Sequence, residues 1–511
     1  MRKKWGNRIG AIVLACALTM SGLPVQSIST STRKAYAAAK SETEKQDVSQ
    51  PETKMGNVVL NGNDIAVNNV NGLTYKGFGM LSGNSTSDLL MDYKAEQPKA
   101  YAELMQYLFG GNYPIMNHVK LEMGIDRNTS TGPESCTKRT EKEKANVLRN
   151  PGWQLAADAK KINPKIKVSI LRWEAPVWAG TDEKIYQWYK ETILDAYEKY
   201  GYMVDYINPN INEKWDVDSD VAFTKKFAKW IAAETKETIP DEKALALYHK
   251  IKLVVSDEAG TASDSVVESM KSDSDFYNSV DVVGYHYSPW DDSNGGMKWL
   301  AQTKDKEVWN SEAQATFSNS AFRPSNNVKD PTTEGTGLGG TGSALEMANT
   351  FIKGFVQSRR SHVIYQPAIG SFYEGAQFSF KELVSARDPW SGWIHYDAGL
   401  LMLAHISKFA VTGWENEDNT AGIWRAVPQA SKCTADGTNP VNGRNGGENY
   451  MTLASPAKDN FSTMIVNDSE YPMEYKIQTK NMKLAEDQNL EIWETRAADD
   501  GAFNENYMKC I

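Results

Sequence analysis

Between about residues 74 and 373 the chain alternates eight short β-rich runs with longer stretches of helical periodicity, an order that few folds accept. The runs read from the sequence are Tyr75–Met80, Val119–Ile125, Lys167–Leu171, Val204–Ile211, Ile251–Ser256, Val280–Tyr287, Glu307–Asn310 and Val363–Tyr373. Helix-like segments such as Tyr101–Phe109, Lys184–Lys199, Val221–Thr235 and Ser343–Arg359 separate them. Alternation of this kind builds a parallel sheet, and eight strands close it into a barrel. The competing open, doubly wound sheet requires a Gly-rich phosphate turn after an early strand. Gly77-Phe-Gly79, followed by Met-Leu-Ser, is not that turn. Gly335-x-Gly-x-Gly-Gly340 lacks the strand–turn–helix context and reads as a mobile loop. The expected fold class is α/β, a (β/α)8 TIM barrel over residues 74–404.

The flanks read differently. Asn57–Val70 contains alternating β-rich pieces interrupted by Asn-Gly-Asn. Beyond Phe409 helical periodicity fades, and short strand-like pieces fall around Gly422–Val427, Tyr450–Leu453, Phe461–Val466, Tyr475–Thr479 and Leu490–Glu494. Residues 56–73 and 405–511 are therefore expected to form an accessory antiparallel β-sandwich built from both chain ends. The sequence stops just after a strand and turn, at Asn506-Tyr-Met-Lys-Cys-Ile511, so the sandwich reads as truncated.

The N-terminus has a basic segment through Arg8, an apolar run Ile9–Leu18 and Ala35-Tyr36-Ala37, the pattern of a secretory signal peptide over residues 1–37. Val13-Leu14-Ala15-Cys16 loosely resembles a bacterial lipobox, which makes lipid anchoring at Cys16 the alternative. Residues 38–55 read as a flexible leader, and no stretch is apolar enough for a transmembrane helix. The whole chain carries 56 basic and 65 acidic side chains; without residues 1–37, 50 and 65 remain, a net charge of −15. That acidity would repel phosphate backbones and argues against nucleic-acid partners. Cys136, Cys433 and Cys510 remain after cleavage, and a Cys136–Cys433 bridge is conceivable in an exported chain. The six histidines (118, 249, 286, 362, 395, 405) are scattered, so no metal site and no cofactor is expected.

In a barrel, chemistry sits where the C-terminal strand ends converge. Glu213 ends the fourth run directly after Asn212, and Glu312 ends the seventh. Strands four and seven face one another across the mouth, and glycoside hydrolysis needs such a pair of carboxylates. Taken singly, either glutamate reads as a solvated loop residue; the joint placement favours the catalytic reading. Asn212 is placed to donate a hydrogen bond to a sugar hydroxyl. His286 and Tyr287, ending the sixth run, are placed to hold the nucleophilic carboxylate, with buried packing as the plainer alternative. Asp257 and Glu258 after strand five have at most a supporting role. Trp173, Trp178 and Phe372-Tyr373 at strand ends suit a sugar platform, or simply packing.

Taken together, these motifs resemble glycoside hydrolase family 59, the galactocerebrosidase (galactosylceramidase) family. The stretches that carry the resemblance are Tyr75-Lys-Gly-Phe-Gly-Met-Leu-Ser-Gly-Asn84, Val119-Lys-Leu-Glu-Met-Gly124, Leu171-Arg-Trp-Glu-Ala-Pro-Val-Trp178, Asp281-Val-Val-Gly-Tyr-His-Tyr287, Phe372-Tyr-Glu374, Asp388-Pro-Trp-Ser-Gly392 and Leu490-Glu-Ile-Trp493. The resemblance implies a retaining β-galactosidase mechanism with Glu213 as acid/base and Glu312 as nucleophile. It also implies that Gly83, Asn84, Thr129, Ser130, Trp173, Asn212 and Tyr373 line the sugar pocket. The partner implied is a carbohydrate or glycolipid carrying a terminal β-galactosidic bond.

Three departures stand out. Ile211 precedes Asn212-Glu213 where the family usually has Trp, and a sugar-contacting Trp of strand eight is replaced near Tyr365-Gln366. The family's lectin-like domain, which carries a calcium site, has no counterpart in the sequence. Glucosylceramide, a β-1,6-galactan and xylan therefore stay open as substrates of a related retaining enzyme. A non-catalytic carbohydrate-binding protein on a hydrolase scaffold is the alternative from another class. Protease and esterase readings fail for want of G-x-S-x-G, H-E-x-x-H or a Cys/His arrangement.

Overall fold

The computed structural model describes residues 10–11, 52–83, 86–127, 134–259, 262–287, 295–314, 344–366, 368–371, 383–410, 424–433, 447–467, 469, 471–486, 490–497 and 506–510. Eight strands form a closed parallel barrel: β1 (Gly77–Leu81), β2 (His118–Met123), β3 (Lys167–Arg172), β4 (Tyr206–Ile211), β5 (Lys252–Ala259), β6 (Val282–His286), β7 (Glu307–Gln314) and β8 (His362–Gln366). Closure is made by β8, which pairs with β1 from His362↔Gly77 and with β7 from His362↔Trp309. All eight expected runs are strands, with bounds shifted by a few residues. The eighth ends at Gln366 rather than Tyr373, since a proline follows at 367 and proline has no N–H for a central ladder.

Helices shield the barrel because its strands are buried on both faces. Asp182–Tyr200 starts on Thr181, whose side chain accepts from the Lys184 N–H, and stops at Gly201 in the left-handed region (φ +78°). Val217–Ala233 starts on Asp216, whose side chain accepts from the Ser219 N–H. Trp153 and Trp188 are fully buried in the shell between barrel and helices. Each side chain of that kind contributes roughly 1.5–3 kcal/mol or more through burial.

Inside the barrel, Leu81, Leu171, Tyr206, Val254, Val282, Trp309 and Ile364 form one buried cluster. His118 and His362 lie at the N-terminal ends of β2 and β8, with His118 Nδ1 2.9 Å from His362 Nε2 and His118 Nε2 2.8 Å from Ser169 Oγ. Burial lowers both pKa values, that of His362 to about 3, so this end of the barrel is plugged by neutral imidazoles.

Both flanks contribute accessory sheets. Lys54–Asn61 pairs with Met473–Lys480 over eight residue pairs and runs parallel to it. The other pairings are antiparallel, in the order Arg425–Ala426, Tyr450–Ala454, Phe461–Asn467, Gly10–Ala11, Trp493–Ala497, Asn506–Cys510. The joining of the two flanks agrees with the sequence reading, whereas the parallel sense of the Lys54–Asn61 pairing differs from it. A three-stranded sheet of Ile369–Gly370, Val384–Asp388 and Trp393–Tyr396 follows β8 and was not expected. The barrel grips the N-terminal segment through Asp305, whose carboxylate accepts from the backbone N–H groups of Asn71 and Gly72, each at 2.8 Å.

Cys136 and Cys433 are separate free thiols, which removes the conceivable bridge; Cys136 donates to the Lys138 carbonyl at 3.1 Å. Among the described residues no helix is long and apolar enough to cross a membrane. The residues read as a signal peptide lie outside the described set apart from Gly10–Ala11, which pairs within the accessory sheet and would leave it on cleavage; the Gly335–Gly340 loop lies outside the set as well.

Candidate active site

The geometry starts with β4. Pro209 sits where the β3–β4 register shifts, and its carbonyl is taken by Arg172 Nε at 2.9 Å. Beyond it the Asn212 N–H donates to the Arg172 carbonyl and the Glu213 N–H to the Asp257 carbonyl, and Glu213 turns into the left-handed region at φ +55°. The chain is thereby aimed across the mouth before the next helix begins. The Glu213 side chain is 30% exposed and that of Glu312, at the end of β7, 4%. One carboxyl can thus exchange protons with water, while the other is shielded.

His286, the last residue of β6, lies between them. Its Nδ1 is 2.9 Å from Glu213 Oε1 and 3.7 Å from Glu312 Oε2, and its Nε2 is 3.7 Å from Asp257 Oδ1. Burial on its own would lower the imidazole pKa. Glu312 first, then Asp257 and Glu213, outweigh it and raise the pKa to about 9, so His286 is a cation at neutral pH. The sequence placed His286 on the nucleophile; the structure places its hydrogen bond on Glu213. The Tyr287 hydroxyl donates to Glu312 Oε1 while Gln366 Nε2 donates to that hydroxyl at 3.3 Å.

Asp257 closes the network from behind. Burial pushes its carboxyl up, but the Lys120 ammonium at 3.2 Å and His286 hold it well below the usual carboxylate range. Asn208 Nδ2 donates to it at 2.9 Å, and Lys120 also donates to the Ser311 carbonyl at 3.1 Å. Gly284 is required here, because a Cβ on it would lie 2.5 Å from both Asp257 Oδ1 and Ser311 Oγ.

The buried amide of Asn212 has no partner at either polar atom, and Glu312 Oε2 accepts no hydrogen bond among the described residues. Groups this costly to leave unmade mark where a polar ligand fits. On the β1–β3 side, Trp173 Nε1 donates to Glu122 Oε1 at 3.2 Å. Burial raises the Glu122 pKa to about 7, against the indole N–H, which lowers it. Gly83 is buried against that carboxyl. Trp178 instead donates to the Lys138 carbonyl at 3.0 Å and belongs to the packing outside the mouth.

The structure brings together Glu213, Glu312, Asn212, His286 and Tyr287, and places Gly83 and Trp173 at neighbouring strand ends. Asn84, Thr129, Ser130 and Tyr373 lie outside the described residues. The sequence reading missed Lys120, Glu122 and Gln366. Lys120 and Glu122 were legible, with His118, as ionisable residues alternating with apolar ones along one strand. One ligand atom each from Glu213, His286 and Glu312 falls within 4.8 Å of the other two. These are the side chains that would face a cation, though the proton on His286 occupies its lone pairs.

The profile of glycosyl hydrolase family 59 matches residues 75–408. Galactocerebrosidase of Danio rerio is 26% identical over 357 residues, which is 67% of this chain and 46% of that one. The Homo sapiens galactocerebrosidase is 27% identical over 350 residues, 67% of this chain and 44% of that one. The chain thus matches less than half the length of these relatives. The fold is shared with SrfJ from Salmonella typhimurium (TM-score 0.53, 12% identity, 92% of both chains) and with an endo-β-1,6-glucanase (TM-score 0.55, 12% identity, 84% of this chain and 92% of that one). The match of the family profile to well over half of the chain, across the whole span of the barrel, settles the assignment: the chain belongs to glycosyl hydrolase family 59.

Proposed function

We propose that this protein is an exported retaining glycoside hydrolase that releases a terminal β-linked galactose, with Glu312 as nucleophile and Glu213 as acid/base. The observation that carries the reading is the carboxylate pair at the ends of β4 and β7, with an oxygen of each within 4.8 Å of the other. Retaining enzymes use a separation of about 5–5.5 Å, whereas inverting enzymes leave about 6.5–9.5 Å for a water. Galactose as the sugar rests on the names of the relatives, and export on the N-terminal sequence pattern.

In the first step a Glu312 oxygen attacks the anomeric carbon, the glycosidic C–O bond breaks, and Glu213 gives its proton to the departing oxygen. Glu312 becomes a neutral ester while Glu213 becomes a carboxylate, so one negative charge moves from one glutamate to the other. The His286 cation lies against both positions and compensates the charge before and after the step. In the second step Glu213 takes a proton from water, which attacks the anomeric carbon and frees Glu312. Tyr287 holds Glu312 by its Oε1 and leaves Oε2 for the sugar. Asn212, whose amide atoms have no partner among the described residues, is the group we assign to bind a hydroxyl of the sugar.

The test is release of 4-nitrophenol from a panel of aryl β-glycosides by residues 38–511, beside Glu312→Gln and Glu213→Ala. Preferential turnover of the β-galactoside, absent in Glu312→Gln, supports the reading. On these good leaving groups Glu213→Ala is expected to spare the first step but to stall breakdown of the intermediate, and to be partly rescued by azide. Preferential turnover of another sugar would overturn galactose, and a folded chain that binds sugars without turnover would overturn the enzyme.

A further inference from the structure

Two of the expected sugar-contacting positions, Gly83 after β1 and Trp173 after β3, meet at a side chain to which the reaction above gives no role. Glu122 on β2 is 3% exposed, and its Oε1 accepts the Trp173 indole N–H at 3.2 Å. A Cβ at position 83 would lie 2.3 Å from that same oxygen and 2.4 Å from Cδ, so the Gly83 backbone presses directly on the carboxyl. The indole is only partly buried, and its one polar atom is spent on this bond. The ring also packs against the apolar cluster inside the barrel, and the bond to Glu122 is the one directional contact of its indole N–H. A flat ring recognises a sugar through its face, so the ring plane decides which pyranose fits.

We propose that Glu122 is a positioning residue that fixes the plane of Trp173 at the rim of the sugar pocket, with Gly83 leaving the space that lets it do so. The inference rests on the glycosidase reading above. Glu122 lies near enough to Glu312 for that charge to raise its pKa, but the role assigned to it is to set glycon affinity through the ring that it holds.

The experiment compares Glu122→Ala, Glu122→Gln, Trp173→Phe and the Glu122→Ala/Trp173→Phe double variant on an aryl β-galactoside. Glu122→Ala and Trp173→Phe should each raise KM roughly tenfold with kcat within about twofold, the scale of one lost hydrogen bond. The double variant should be no worse than either single one, since both remove the same bond. Glu122→Gln keeps an acceptor oxygen and should restore KM to near the wild-type value. Near-ultraviolet circular dichroism provides a readout that needs no turnover: the band lost in Trp173→Phe should also be lost in Glu122→Ala and kept in Glu122→Gln. An unchanged KM and band in a folded Glu122→Ala, or additive effects in the double variant, would overturn the inference. A wild type silent on every glycoside, with the dichroism pattern intact, would overturn the glycosidase reading and leave the Glu122–Trp173 pairing standing.

Discussion

The ammonium of Lys120 lies 3.2 Å from Asp257 Oδ2 with both side chains buried, and this pair balances the charge behind the two candidate catalytic glutamates. Lys120→Met is expected to destabilise the fold by about 3–5 kcal/mol by taking the nearer of two cations from a buried carboxylate. The folded pKa of Asp257 is depressed, so its contribution is present above the ordinary value of 3.8 and lost as pH falls through the folded value. The deficit of the variant should therefore be large at pH 7 and narrow in acid. Urea unfolding of both proteins from pH 7 down to about pH 2 measures it.

Tyr287→Phe removes the hydroxyl that donates to Glu312 and accepts from Gln366. A hydrogen bond to a charged group is worth about 1.5–3 kcal/mol, so a loss of roughly ten- to a hundredfold in kcat/KM is expected with little change in melting temperature. Steady-state kinetics and a thermal scan of the same preparation test the two halves together.

His286 gives a pH dependence of the opposite sense to that of Asp257. Its folded pKa of about 9 exceeds the ordinary 6.5, so the native state binds the proton more tightly. The resulting stability is complete below pH 6.5 and disappears as pH rises through about 9. Wild type should lose about 1–3 kcal/mol across that window, and a His286→Gln variant should show a flatter profile.

His118 and His362 act at the acid end. Both are neutral in the fold with pKa values below 6.5, so the unfolded chain gains protons first as pH drops. Stability should fall from pH 6.5 toward pH 4, and His362→Gln should reduce the slope. Chemical unfolding at half-unit pH steps would show whether it does.

How much of this was legible without coordinates follows from the kind of signal each feature leaves. Strand–helix alternation is a long-range periodic signal, and it marked all eight barrel strands and placed Glu213 and Glu312 at opposed strand ends. Lys120 and Glu122 left a weaker local mark: Trp173 meets Glu122 through the pairing of β2 with β3, while Asp257 reaches Lys120 only across the barrel interior. That His286 bonds Glu213 was hidden for another reason. Glu213 adopts φ +55° just past the end of β4, a turn that side-chain alternation does not anticipate and that brings its carboxylate to His286. The sheet after β8 was masked by an apolar run that continues past Gln366.

Gly284→Ala would place a methyl group 2.5 Å from Asp257 Oδ1 and from Ser311 Oγ. Overpacking of a filled site typically costs about 1–3 kcal/mol. Because the displaced group is Asp257, activity should fall further than the unfolded fraction accounts for. Comparing kcat at a temperature well below the melting transition separates the two effects.

The parallel pairing of Lys54–Asn61 with Met473–Lys480 joins segments some 420 residues apart, with Asn61 and Asn481 bonded side chain to side chain at 2.8 Å. A tug on the chain before Lys54 and an opposite tug beyond Lys480 pull two co-directional strands past each other along their length. The ladder then resists in shear, with its bonds loaded together, instead of opening one rung at a time as the Trp493–Ala497/Asn506–Cys510 hairpin would when peeled from its end. The two flanks thus form a buckle around the barrel. Stretched between its ends, the molecule is expected to give up that hairpin at low force and to hold at the buckle until much higher force before the barrel is loaded at all.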